Sequence, residues 1–123
     1  MGTSLDELAS YFRPLAEQLL EECTAQGILV DVIDTGRTPT EQEQKLAQGV
    51  SWTTHSKHLP QPPEGKSEAI DVCPTLYLTM KNWNPTGSFW AEIGAIGEGL
   101  GLEWGGRWAS HPDLGHFQYK KGG

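Results

Sequence analysis

The sequence predicts an α+β domain: a small, mostly antiparallel sheet with helices packed on it. Two observations lead there. Segments with helical and strand-like periodicity follow in the order helix, strand, helix, strand, helix, and two short strand-like segments close the chain. At 123 residues the chain has the length of one domain, and a single domain is expected over 1–123. A chain of this size buries roughly 60–70% of its unfolded surface, enough for a real core.

The elements follow in order. Ser4 and Glu7 have capping-box spacing, and Leu5, Leu8, Phe12, Leu15, Leu19 and Cys23 recur at about 3.6 residues, which predicts a helix with one apolar face. Pro14 should kink that helix or split it in two. "ILVDVIDTG" alternates around Ile28, Val30 and Val32 and predicts a strand ended by Gly36. In "RTPTEQEQKLAQG", Thr38 is the N-cap, Pro39 takes the first helical position, Glu41 completes the box and Gly49 closes the helix. Arg37 is thereby presented at a strand-to-helix junction, where scaffolds often display working side chains.

The polar, Pro/Gly-rich "SWTTHSKHLPQPPEGKSE" reads as a long surface loop, and "AIDVCP" as a short strand stopped by Pro74. A further helix runs from about Ser88 to Leu100, with Trp90, Ile93, Ile96 and Leu100 on one face. Its glycines, Gly94, Gly97 and Gly99, cost stability unless something packs closely against them. "LEWGG" and "HFQYK" predict two closing strands joined by a loop over 105–115.

Composition narrows the function classes. A formal charge of −7 argues against non-specific nucleic-acid binding and against a polybasic membrane patch. Cys23 and Cys73 form no CxxC pair, so a finger-type zinc site is excluded and buried free thiols are expected. No apolar run reaches 18 residues, and the first ten residues carry no secretory signal pattern.

The four histidines fall in two regions. His55 and His58 precede "AIDVCP", while His111 and His116 flank Asp113. Alternation points Asp71 away from the face of Ile70 and Val72. A carboxylate in so apolar a strand is costly unless it is paired or binds metal. Two neutral imidazoles and one carboxylate, from His58, Asp71 and His116, would suit catalytic zinc and leave a fourth tetrahedral position open. Each residue alone has an ordinary reading: a loop histidine, a carboxylate capping a turn or pairing with Lys66, a turn aspartate after Pro112, a strand histidine. The case rests on their occurring together.

Together, these residues resemble the zinc peptidases that include D-Ala-D-Ala carboxypeptidases and phage L-alanyl-D-glutamate endopeptidases. The matching stretches are Ser56-Lys57-His58, Ala69-Ile70-Asp71, Trp104-Gly105-Gly106-Arg107-Trp108 and Asp113-Leu114-Gly115-His116, with Arg37 and Gln42 in the expected order upstream. The resemblance runs from about Leu5 to Tyr119. Two features depart from the pattern. The family places six residues between the first histidine and the aspartate, whereas residues 59–70 intervene here, and Ser67 stands where glycine is usual, so Gly65 is expected to make the turn. Gly115 also replaces a frequent proline.

The resemblance implies a hedgehog/D-Ala-D-Ala-peptidase-like fold and one zinc ion per chain, held by His58, Asp71 and His116. His55 is the competing first ligand, disfavoured because only Ser56-x-His58 fits the motif. Asp113 is implied as the proton carrier, and Arg37 as the cation that stabilises the carbonyl oxygen or grips a substrate carboxylate. Ser56, Gln42 and Trp108 are implied to line the substrate groove. The expected substrate is the peptidoglycan stem peptide, cut as an L-alanyl-D-glutamate bond. The competing readings are a D-alanyl-D-alanine carboxypeptidase, a non-catalytic zinc-binding module of the same fold, and a metal-free virion protein. The implied setting is a monomeric lysin of phage or prophage origin, kept in the cytoplasm until release to the wall or carried by a virion.

Overall fold

A computed structural model describes residues 5–35, 58–59, 61, 65–80, 88–108 and 112–120. The helix expected over 38–49 lies outside them, as do Arg37, Gln42, His55, Ser56 and His111.

Pro14 does split the first helical segment. Leu5–Glu7 form one 3-10 turn, and helix α1 starts afresh at Arg13–Ala25 with the proline in its first turn, where no intrahelical donor is needed. Glu7 is not free to close a capping box; its carboxylate accepts a hydrogen bond from the Thr35 hydroxyl at 3.0 Å. Helix α1 ends when Gly27 N–H bonds Thr24 O and Ile28 N–H bonds Cys23 O, the paired Schellman pattern. The helix over Ser88–Gly99 ends the same way, through Gly101 and Leu102. Gly27 and Gly101 both sit at left-handed φ, +80° and +87°, which a Cβ would disfavour.

Four strands form one sheet in the order β1-β2-β4-β3, every neighbouring pair antiparallel: β1 Val30–Asp34, β2 Ala69–Pro74, β3 Glu103–Trp104 and β4 His116–Gln118. This is the expected α+β architecture. One element was not foreseen, a six-residue helix α2 over Thr75–Met80, so the Ser88–Gly99 helix is α3. Thr and Tyr at that length give too little helical periodicity to be read.

Strand β2 is central and buried along its whole length. Ile70 faces Phe117 across the β2–β4 pair, and Trp104 faces Phe117 across β3–β4. These side chains, with Val72, meet Phe12 at the N-cap of α1, Ala16 and Leu19 within it and Ile93 of α3 in the main core. Burying a side chain of this size is worth about 1.5–3 kcal/mol. The α3 glycines are what let the helix sit so low. A Cβ on Gly94 would lie 2.5 Å from the Trp104 ring, and one on Gly97 would lie 2.3 Å from Phe117. Gly99 faces open space and has no such reason.

The opposite face of the sheet is different. A second apolar cluster of Cys73, Tyr77 and Trp90 occupies one part of it. The rest is polar, because Asp71 pairs in register with His116, and Glu103 with Gln118. Asp34 joins this face through an irregularity in β1. Val32 pairs with Val72, but the register shifts before Asp34, which then pairs with Asp71. Strict alternation would have sent Asp34 to the core with Val30 and Val32; the bulge turns it over.

The described residues between His58 and Asp71 lead the chain into β2. Gln61 and Lys66 form an antiparallel bridge, closed by Gly65 N–H to Gln61 O at 2.8 Å, with Gly65 at φ +68° as the turning residue. Ser67 then bridges to Leu8 in parallel, and its hydroxyl donates to Ala69 O, steering the chain into β2.

Candidate metal centre

Asp71 is the hub of the polar face. Its Oδ1 lies 3.0 Å from His58 Nε2 and 2.9 Å from His116 Nδ1. His58 comes from the start of the 58–68 connection, and His116 opens β4 directly opposite Asp71. All three residues are buried, and their donor atoms lie within 4.8 Å of one another. Lys66 is exposed on the loop bridge and belongs to a different environment.

Burial alone would raise the Asp71 pKa, but the charge of His58 and hydrogen bonds from both histidines outweigh it, and the carboxyl is held well below the usual carboxylate range. For His116, burial disfavours the imidazolium, yet the hydrogen bond and charge of Asp71, with the charge of Asp113, hold its pKa above the ordinary value. The buried anion is thus stabilised by imidazoles on two sides. Two imidazole nitrogens and a carboxylate oxygen on one point also form a donor set that suits zinc, so the residues present fit that ion.

Beside the cluster, a cavity of about 200 Å³ is lined by Asp71, Asp113, Trp90 and Ile33, among others. Asp113 is exposed at its rim, while its backbone is held tightly: its N–H donates to Gly105 O at 2.9 Å, and its carbonyl accepts from His116 N–H at 3.2 Å. The two glycines of the Trp-Gly-Gly stretch explain themselves here. A Cβ on Gly105 would lie 2.5 Å from Asp113 O, and one on Gly106 would lie 2.3 Å from the Trp104 ring. Gly115 is equally required, since a Cβ there would approach Val72 O to 2.2 Å. That contact accounts for glycine where the family often has proline.

The two tryptophans separate. Trp104 is core, with its indole N–H donating to Leu114 O at 2.8 Å. Trp108 is half-buried and lies against the His116 ring, 5.0 Å between centroids, held by an indole hydrogen bond of 2.9 Å to Glu103. Sequence reasoning missed three polar neighbours on this face: Asp34, Gln118 and Glu103. Gln118 meets His116 Nε2 at 2.8 Å, and Asp34 Oδ1 is 3.8 Å from His58 Nδ1. The i, i+2 spacing of His116 and Gln118 on one strand face was the available signal.

The Listeria phage A118 L-alanyl-D-glutamate peptidase is 29% identical over 120 residues, a match covering 94% of this chain and 39% of that protein. The chain thus spans well under half of the curated relative's length. The crystal structure of the Serratia marcescens L-Ala D-Glu endopeptidase ChiX has the same fold, with a TM-score of 0.69 at 21% identity over 94% of this chain and 83% of the other. The D-alanyl-D-alanine carboxypeptidase family model matches residues 49–119, a stretch that holds His58, Asp71, Trp108, Asp113 and His116. With more than half of its length matched in this way, the chain belongs to the D-alanyl-D-alanine carboxypeptidase family.

Proposed function

We propose that this chain is a zinc peptidase that cuts the L-alanyl-D-glutamate bond of peptidoglycan stem peptides. The observation that carries the reading is the buried His58–Asp71–His116 cluster, whose Asp71 lines a cavity also bordered by the exposed residue Asp113. The printed activities of the Listeria phage and Serratia relatives support the choice of bond.

His58, Asp71 and His116 would hold the zinc. When bound, zinc supplies a Lewis acid that polarises the scissile carbonyl and acidifies water. Asp113 takes the proton from the water that attacks the carbonyl carbon, and delivers it to the amide nitrogen as the C–N bond breaks. Asp71 would not do this, because a carboxylate that holds the zinc is not available as a base. Trp108 walls the site next to His116 and offers an apolar surface to the stem peptide. Arg37 is assigned to the carbonyl oxygen, where negative charge develops, and Ser56 and Gln42 to substrate contact; these three come from the sequence motif. A monomer acting after release to the wall, or from a virion, completes the reading.

Digestion of purified peptidoglycan by zinc-loaded protein, with products identified by mass spectrometry, tests it. New amino termini at D-Glu are expected, and neither chelated protein nor Asp113→Ala should produce them. Release of terminal D-Ala alone would replace the reading with a D,D-carboxypeptidase. Stoichiometric zinc without any product would replace it with a zinc-binding module.

A further inference from the structure

The two histidines of the cluster present different nitrogens to Asp71. His58 turns Nε2 inward and His116 turns Nδ1 inward, at 3.0 and 2.9 Å from the same oxygen. Each outward nitrogen faces an oxygen. His116 Nε2 meets Gln118 Oε1 at 2.8 Å, and His58 Nδ1 lies 3.8 Å from Asp34 Oδ1. A neutral imidazole has one lone pair, and only the nitrogen without a proton can bind metal. An acceptor behind the ring holds the proton outside and leaves the lone pair facing in.

We propose that Gln118 is a positioning residue that fixes the His116 tautomer, so that Nδ1 is the nitrogen presented to the metal. This rests on the zinc reading of the cluster given above. Strand geometry makes the contact specific to this pair. His116 and Gln118 are i, i+2 on β4 and share a face, while their register against β2 sets Asp71 opposite the histidine and Ala69 opposite the glutamine. Small Ala69 leaves the glutamine side chain room to lean toward the ring. The main chain of Gln118 is fixed on both sides, since it also pairs with Glu103 of β3. Asp34 stands in the same relation to His58, but 3.8 Å is longer than a hydrogen bond, so its hold on that ring is weaker.

The test compares wild type, Gln118→Met and Gln118→Glu. Met keeps the length of the side chain and removes the hydrogen bond; Glu keeps an acceptor. Zinc affinity is read by competition with a chromogenic chelator, and the tautomer of His116 by ¹⁵N–¹H correlation of its ring in the zinc-loaded protein. We expect Gln118→Met to weaken zinc binding by about 10–100-fold and to lose the slowly exchanging Nε2 proton. Gln118→Glu should bind zinc at least as tightly as wild type and keep that proton. Thermal unfolding of the metal-free proteins identifies a variant weakened only by misfolding, and rescue in Gln118→Glu separates hydrogen bonding from packing. Equal zinc affinity and an unchanged ring signal in Gln118→Met would overturn the proposal while leaving the peptidase reading intact. Failure of wild type to bind zinc would overturn both, and zinc binding without hydrolysis would overturn only the peptidase reading.

Discussion

Asp71 and Asp113 border the same cavity, yet they live in opposite surroundings. Asp71 sits mid-strand, buried and gripped by two imidazoles. Asp113 sits on a loop, exposed, with its main chain pinned and its side chain at the rim. On the proposed reading, the difference is how one site would assign two jobs to one residue type. A carboxylate already engaged by two imidazoles would serve as an anchor, whereas one at the exposed rim would be placed to pick up and release a proton.

That contrast is open to direct attack. Asp71→Ala should do the most damage, because it leaves two buried imidazoles without their shared anion. We expect a loss of about 3–5 kcal/mol in denaturant unfolding and no zinc retained on metal analysis. Asp113→Ala should cost little stability, within about 0.5 kcal/mol, because the residue is exposed and the backbone hydrogen bonds that pin it survive the substitution. Its hydrolysis rate should nevertheless fall by roughly 10²–10⁴ with zinc content unchanged. Equal stability losses in the two variants would break the contrast.

Gly105→Ala tests the loop side without touching either carboxylate. The added methyl would press on Asp113 O, and we expect about 1–3 kcal/mol of destabilisation and slower hydrolysis. Thiol chemistry sharpens the buried side. Burial, with the nearby charge of Asp31, pushes the Cys73 thiol up to about 11, and burial with Glu22 does the same for Cys23. Alkylation by iodoacetamide near pH 8 should therefore run roughly 10²-fold slower in the folded protein than in urea. The smallest effect is expected at Gly99, where Gly99→Ala fills open space on α3 and should raise stability by about 0.4–1 kcal/mol. Gly94→Ala and Gly97→Ala should go the other way.

Much of this arrangement was legible in the residues themselves. Alternation around Ile70 and Val72 placed Asp71 on the face away from the core, and the 3.6-residue period from Trp90 to Leu100 marked α3. The rest depends on information that local pattern does not carry. Asp34 reaches the site only because β1 slips register beside β2, and Glu103 only because a two-residue strand pairs with β4. Helix α2 is too short for a period to show, and Pro74 signalled a stop without saying what followed. Gly115 looked like a departure from a motif until Val72 O was seen beneath it.

The connectivity of β2 has a consequence for how the protein is made. Neither neighbour of this central strand reaches it through a hairpin; the contact between Asp71 and His116 joins residues 45 positions apart. Large loops must therefore close before the sheet gains its middle, and loop-closure entropy is spent before the burial that offsets it. Folding should be slow for a domain of this length, on the millisecond-to-second scale of chains rich in distant contacts. The three candidate ligands would come together only in that late event, so a metal ion would meet its assembled binding site at the end of folding and not at its start.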